Sequence, residues 1–294
     1  MTARIGHVAV VGAGAMGSQI AMVCALAGHR VTLTDADPAA LDRARTQLRE
    51  RTDAMVAKGR RSADEVAQAW ARWEAATVPP ADADLVIEAI VEKLEAKREL
   101  FADLDARCGP GTVFASNSSS FVPSSLASAT GRPDRFVNLH FFNPALVMTC
   151  VEVVRGPETA DAVAAEATEF VTGLGKVPVV LDREIPGFVA NRILGAVRDE
   201  ALALYEGGYA DIEAIDTAAR TALGYPMGPF ELMDLTGIDI GYLTKTARYA
   251  DTGDAADKPS DTVAALVADG HLGRKTGRGF YHYDQAGNRL GKAL

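Results

Sequence analysis

The segment running from His7 to Leu26 limits what this chain can fold into more than any other. It reads as a short apolar strand (His7 to Val11), a glycine turn and a helix of small residues. That order builds an anion site. Gly12 allows the tight turn, Gly14 lets backbone approach phosphate without a Cβ in between, and Gly17 lets the helix lie close to the strand. A pyrophosphate would rest on free N–H groups at the positive end of the helix dipole, with Gly12, Gly14, Ala15, Met16 and Gly17 around it.

The next apolar run, Arg30 to Thr34, ends in Asp35, eighteen positions after Gly17. An acid about twenty residues on is placed to accept hydrogen bonds from the adenosine ribose hydroxyls. It favours NAD, because a ribose phosphate would be repelled there. Two other readings exist. One is an ordinary α/β glycine turn with a strand-end Asp. The other is a secretory signal, mimicked by Arg4, an apolar stretch and Ala25 to Ala27. Glycines interrupting the apolar stretch, and the α/β pattern that continues without a break, argue against the signal.

The chain has 294 residues, enough for two ordinary domains. Its net charge of −9 argues against nucleic acid or an anionic membrane as the main partner. Three cysteines, Cys24, Cys108 and Cys150, show no paired spacing. They suit a reducing cytoplasm, and neither a disulfide frame nor a metal site is legible. No apolar stretch is long enough to span a bilayer.

Strand and helix signals alternate over the first 180 residues or so. Extended runs are expected at 84–88, 112–116, 136–140, 150–154 and 177–181, and helices from Pro38, around Leu94 to Leu104, and at 160–174. A polar helix is expected to hold Val66, Trp70 and Trp73. Such alternation implies an α/β fold, a Rossmann-like doubly wound, mostly parallel sheet with helices on both faces. Beyond Pro186 and Gly187 the pattern turns helical, with one long helix containing Phe188, Ile193, Leu194, Val197 and Leu202. Another is expected from Ile212 to Leu223, capped by Asp211. The boundary is set near residue 184. Residues 1–184 form the expected NAD-binding domain, and 185–294 an all-helical substrate and dimerisation domain, so a homodimer is expected.

Several segments then resemble one family. They are Val86 to Glu92, Ala115 to Ser119, Leu139 to Pro144, Val151 to Val153, Pro186 to Arg192 and Tyr225 to Phe230. In this order they are similar to the L-3-hydroxyacyl-CoA dehydrogenases, with the short bacterial 3-hydroxybutyryl-CoA dehydrogenases the nearest type. The resemblance runs from about residue 5 to Tyr281. It implies an enzyme that moves a hydride between C3 of a 3-hydroxyacyl thioester and NAD. It also implies a small-molecule acyl-CoA partner.

The resemblance further implies His140 as general base and Glu152 as its partner. A neutral imidazole suits removal of a hydroxyl proton, and a carboxylate on the other ring nitrogen fixes the tautomer and stabilises the imidazolium. Ser119 and Asn191 resemble the remaining polar groups of the site. Glu92, Lys97, Asn117, Ser119, Asn143 and Lys275 match positions that approach NAD. Outside that resemblance His140 reads as a strand-end His, Ser119 as a turn residue and Asn191 as a helix cap. Glu92 and Lys97 then read as a solvated helix start, and Lys275 as a loop charge. Lys58, Arg60 and Arg61 form a basic cluster that either meets carrier phosphates or is a solvated helix end.

One departure is visible. The family often carries Met-Lys before its Leu-Val-Glu, and here Thr149 and Cys150 follow Met148. The missing cation leaves the carrier open, so a carrier-protein thioester or a sugar acid stays as the alternative substrate. A relative with a lysine base is disfavoured by the His140 and Glu152 pair, and that pair also disfavours a dinucleotide-binding protein without catalysis.

Overall fold

The computed structural model describes residues 5–294, so Arg4 lies outside the described residues. Two compact units divide at Val189 and Ala190. The first unit opens with β1 (His7–Val11), α1 (Ala15–Leu26), β2 (Arg30–Thr34), α2 (Pro38–Ala57), α3 (Ala63–Arg72) and β3 (Trp73–Ala76). It continues with β4 (Leu85–Glu88), α4 (Leu94–Arg107), β5 (Val113–Ser116) and α5 (Pro123–Ala127). It closes with β6 (Phe136–Phe141), β7 (Cys150–Arg155), α6 (Asp161–Gly173) and β8 (Val177–Leu181).

Among the described residues, eight strands form one sheet in the order β3-β2-β1-β4-β5-β6-β7-β8. The first six strands in sequence are parallel, β7 runs antiparallel to β6, and β8 follows β7. This is the expected doubly wound, mostly parallel sheet. Successive strand side chains alternate between faces. Val8, Val10, Leu33, Ile87 and Leu139 therefore meet α1, α2, α3 and α6 on one face. Val11, Val86, Phe114 and Phe136 meet Phe101, Leu104 and Leu126 of α4 and α5 on the other. Chain order reverses between β1 and β4, the place where open α/β sheets bind ligands beyond the carboxyl ends of their strands.

Trp73 is a correction. The polar helix stops at Arg72, and Trp73 begins β3, pairing with Val31 at the sheet edge. Ser62 and Glu65 close a capping box at the helix start. The four residues of the strand, Trp73 to Ala76, include two alanines and a glutamate. They carry little strand signal of their own, so pairing with β2 creates the strand.

The second unit holds α7 (Ala190–Glu206), α8 (Ile212–Ala222), α9 (Pro229–Thr236), α10 (Ile238–Thr252) and α11 (Asp261–Ala268). It is helical as expected, and Asp211 caps α8 through Ala214 N–H at 2.8 Å. It also carries a short antiparallel hairpin, β9 (Tyr281–Tyr283) with β10 (Arg289–Lys292). Two buried carboxylates tie the hairpin to the helices. Asp216 accepts from Phe230 N–H at 2.9 Å, Glu231 N–H at 3.1 Å and Tyr281 O–H at 2.8 Å. Asp234 accepts from the amides of Phe280 and Tyr281, each at 3.0 Å, and from Tyr283 O–H at 2.9 Å. Burial outweighs these bonds and pushes both carboxyls above the ordinary carboxylate range. Among the described residues no helix is long and apolar enough to cross a membrane.

Candidate active site

The glycine turn is built by contact and by empty space. Gly12 has φ +106°, and a Cβ on it would lie 2.5 Å from the Ala89 carbonyl oxygen. A Cβ on Gly17 would lie 1.9 Å from the Gly12 carbonyl oxygen, so only glycine lets α1 approach the turn. Gly14 is different, because nothing lies within 4 Å of the Cβ position. It is the N-cap of α1, makes no side-chain cap bond, and is followed by no acid in the first turn. A helix start left bare over open space is a fitting seat for a pyrophosphate. Asp35 closes the turn from the end of β2, accepting from Ala13 N–H at 2.8 Å and Asp37 N–H at 2.9 Å. Each carboxylate oxygen retains a lone pair for a ribose hydroxyl.

Beside the turn lies a cavity of about 330 Å³, whose lining includes Met16, Glu92, Lys97, Asn117, Ser119, His140 and Asn143. The first unit thus brings together most residues singled out in the sequence. Asn117 accepts from Phe141 N–H at 2.9 Å through its side chain, which pins the loop after β5 to β6. Asn143 lies 3.5 Å from the Gln19 amide of α1. Ser119 is exposed at the rim.

His140 and Glu152 are direct partners on the antiparallel β6–β7 ladder. The strand period turns both away from the large apolar core. His140 Nδ1 lies 2.7 Å from Glu152 Oε2, and both residues are buried. Glu152 Oε1 accepts from Val189 N–H at 2.9 Å. The imidazole packs against Phe142, ring centres 4.5 Å apart, and Phe188 at 5.5 Å. A carboxylate on Nδ1 selects the tautomer that leaves Nε2 available as acceptor.

Lys97 is a correction to the solvated helix-start reading. It is almost wholly buried and paired to Glu88 at 2.5 Å and Glu92 at 3.1 Å. Glu88, missed in the sequence, ends β4 fully buried and also accepts from Ser116 O–H at 2.6 Å and Ile90 N–H at 2.7 Å. It was legible in principle, since a carboxylate closing an apolar strand needs buried partners. Ser118, also missed, donates to Glu92. Burial alone would raise the Glu92 carboxyl. The Ser118 bond and the Lys97 charge outweigh burial and hold it below its usual value.

Asn191 and Lys275 belong to the second unit. Asn191 is the second residue of α7, inside the helix rather than at its cap. Lys275 is ion-paired to Asp239 at 2.6 Å. Lys58 follows α2 as its C-cap, and Arg61 pairs with Glu65 at 3.1 Å.

Residues 7–185 match the family model described as 3-hydroxyacyl-CoA dehydrogenase, NAD binding domain, and residues 187–283 match that of the 3-hydroxyacyl-CoA dehydrogenase C-terminal domain. The chain belongs to the 3-hydroxyacyl-CoA dehydrogenase family. It is accordingly an NAD-dependent dehydrogenase. The human mitochondrial hydroxyacyl-coenzyme A dehydrogenase is 41% identical over 288 residues, covering 95% of this chain and 91% of that protein. A probable 3-hydroxybutyryl-CoA dehydrogenase of Bacillus subtilis is 38% identical over 284 residues, covering 96% and 99%. The crystal structure of (S)-3-hydroxybutyryl-CoA dehydrogenase from Ralstonia eutropha superposes with a TM-score of 0.88 at 36% identity, covering 96% of this chain and all of that one. The family thus matches along both units of the chain.

Proposed function

We propose that this dehydrogenase oxidises a short-chain 3-hydroxyacyl-CoA to the 3-ketoacyl-CoA, and runs the reverse reaction, with His140 as general base and Glu152 as its partner. The observation that carries the reading is the 2.7 Å contact from Glu152 to His140 Nδ1 at the wall of a cavity beside the glycine turn. The substrate O–H bond breaks toward His140 Nε2 as C3–O becomes a carbonyl. The proton stays on Nε2 while Glu152 balances the new charge across the ring. Bound NAD supplies the hydride acceptor for the C3 hydrogen.

Gly12, Gly14, Ala15, Met16, Gly17 and Asp35 would hold the dinucleotide, with Glu92, Lys97, Asn117, Asn143 and Lys275 completing its contacts. Ser119 and Asn191 would fix the substrate oxygens so that C3 meets its acceptor in a reactive geometry. We assign cofactor binding to 1–184 and substrate binding and homodimerisation to 185–294. Exposed Ile193, Ile240 and Leu243 on α7 and α10 support dimerisation, because exposed aliphatic side chains cost less when a second copy covers them. Free cysteines support a reducing, cytoplasmic setting.

The test is steady-state turnover with 3-hydroxybutyryl-CoA, longer 3-hydroxyacyl-CoA thioesters, carrier-protein thioesters and sugar acids, read as NADH absorbance. The short CoA thioester should have the highest kcat/KM. A carrier-protein thioester or sugar acid outrunning it would replace the substrate assignment.

A further inference from the structure

Phe188 has φ +48° and, among the described residues, is the one non-glycine residue with positive φ. A bulky side chain is costly there, and such outliers persist where the surroundings over-determine them. The surroundings can be named. Glu184 accepts from Ser124 N–H at 2.8 Å and also from the Ser124 hydroxyl, anchoring the segment after β8 to the start of α5. Phe188 N–H donates to the Ile185 carbonyl at 3.0 Å, closing a turn with Pro186 and Gly187 (φ +80°) at its centre, the residue choice of a type II turn. The Phe188 ring is then fully buried among Val154, Leu181, Val122 and Val179, beside the imidazole. The left-handed step also turns the next amide, Val189 N–H, onto Glu152 Oε1.

Resting on the assignment of His140 as base, we infer that Phe188 is a positioning residue for the proton transfer. Its ring backs His140 while its backbone aims the Val189 amide at one oxygen of Glu152, so the other oxygen faces Nδ1. A plain linker needs neither a left-handed Phe nor a bond to the base's partner. Glu152 of β7 is the titratable group paired to the imidazole, Cys150 of β7 lies within electrostatic reach of Glu152, and Glu92 and Lys97 line the same cavity as His140. Val179, opposite Glu152 on β8, is apolar.

The test compares Phe188→Gly, which accepts the backbone freely but removes the ring, with Phe188→Leu, which keeps apolar bulk. NADH binding by fluorescence serves as the fold check. Both variants should bind NADH normally and lose about tenfold in kcat. The acidic limb of kcat/KM should move about half a pH unit lower, because a loosened Glu152 stabilises the imidazolium less. Glu152→Gln should move the limb in the same direction and further. Should Phe188→Gly not bind NADH, Phe188→Leu carries the comparison. A limb that stays at its wild-type position in NADH-binding variants, with or without a fall in kcat, overturns the inference. His140→Ala run in parallel separates the failures. If it keeps the limb, the base assignment fails. If it loses the limb while the Phe188 variants keep theirs, only the positioning role fails.

Discussion

Two alanine substitutions three residues apart should separate folding from cofactor binding. In Gly17→Ala the new Cβ would sit 1.9 Å from the Gly12 carbonyl oxygen and 3.3 Å from the Ala89 Cβ. The first contact is backbone and cannot rotate away, so α1 must move off β1. Overpacking of this kind costs about 1–3 kcal/mol. In a domain of this size each kcal/mol lowers Tm by about 2–4 °C, which puts the loss at roughly 2–12 °C. In Gly14→Ala the Cβ meets nothing within 4 Å, and φ is −69°, which any residue adopts. The apo protein should keep its Tm, or gain slightly from a less flexible unfolded chain. In the proposed cofactor site the open space at Gly14 is instead where the pyrophosphate would approach, so NADH affinity should fall about tenfold or more. Differential scanning calorimetry without ligand and fluorescence titration with NADH read the two effects. Wild-type NADH affinity in Gly14→Ala, or wild-type Tm in Gly17→Ala, would refute the reasoning for that glycine.

Asp35→Ala should weaken NAD binding and narrow the preference for NAD over NADP, read as kcat/KM with each cofactor; an unchanged ratio would remove the role of the carboxylate. Lys97→Met strands a fully buried Glu88 carboxylate and should cost about 3–5 kcal/mol in urea unfolding, with Lys97→Met/Glu88→Gln recovering part of the loss; equal stabilities for the two variants would contradict this. Asp216 and Asp234 titrate above their unfolded values, so the folded state holds more protons and their contribution grows as pH falls from neutrality toward the unfolded carboxylate range. Asp234→Asn should therefore make the rise in stability from pH 7.5 to pH 5 shallower, and a steeper rise would show the sign to be wrong.

Local chemistry explains what was legible in the sequence. The strand, turn and helix around Gly12, Gly14 and Gly17 are specified within a dozen residues by sterics that need no distant partner. The helix at Pro38, capped by Asp37, and the one capped by Asp211 follow the same logic. His140 and Glu152 were legible as strand residues of fitting chemistry, but their antiparallel pairing is a property of the sheet. Trp73 misled because helical spacing from Val66 and Trp70 runs straight through it, while the strand it begins depends on β2. Phe188 was absorbed into the periodicity of α7, since its position reads as one more apolar helical site and nothing local announces a left-handed step. Lys97 looked solvated because its two carboxylate partners come from a strand end and a loop rather than from its own helix face.

Single-turnover hydride transfer from 3-hydroxybutyryl-CoA, followed as NADH absorbance across pH with enzyme in excess, tests the proposed transfer of the hydroxyl proton to the His140 imidazole. The wild-type rate should fall tenfold per pH unit on the acid side, and His140→Ala should be slower by about 10²–10⁴-fold with that dependence gone. The same acid limb at a near wild-type rate in His140→Ala would contradict the account.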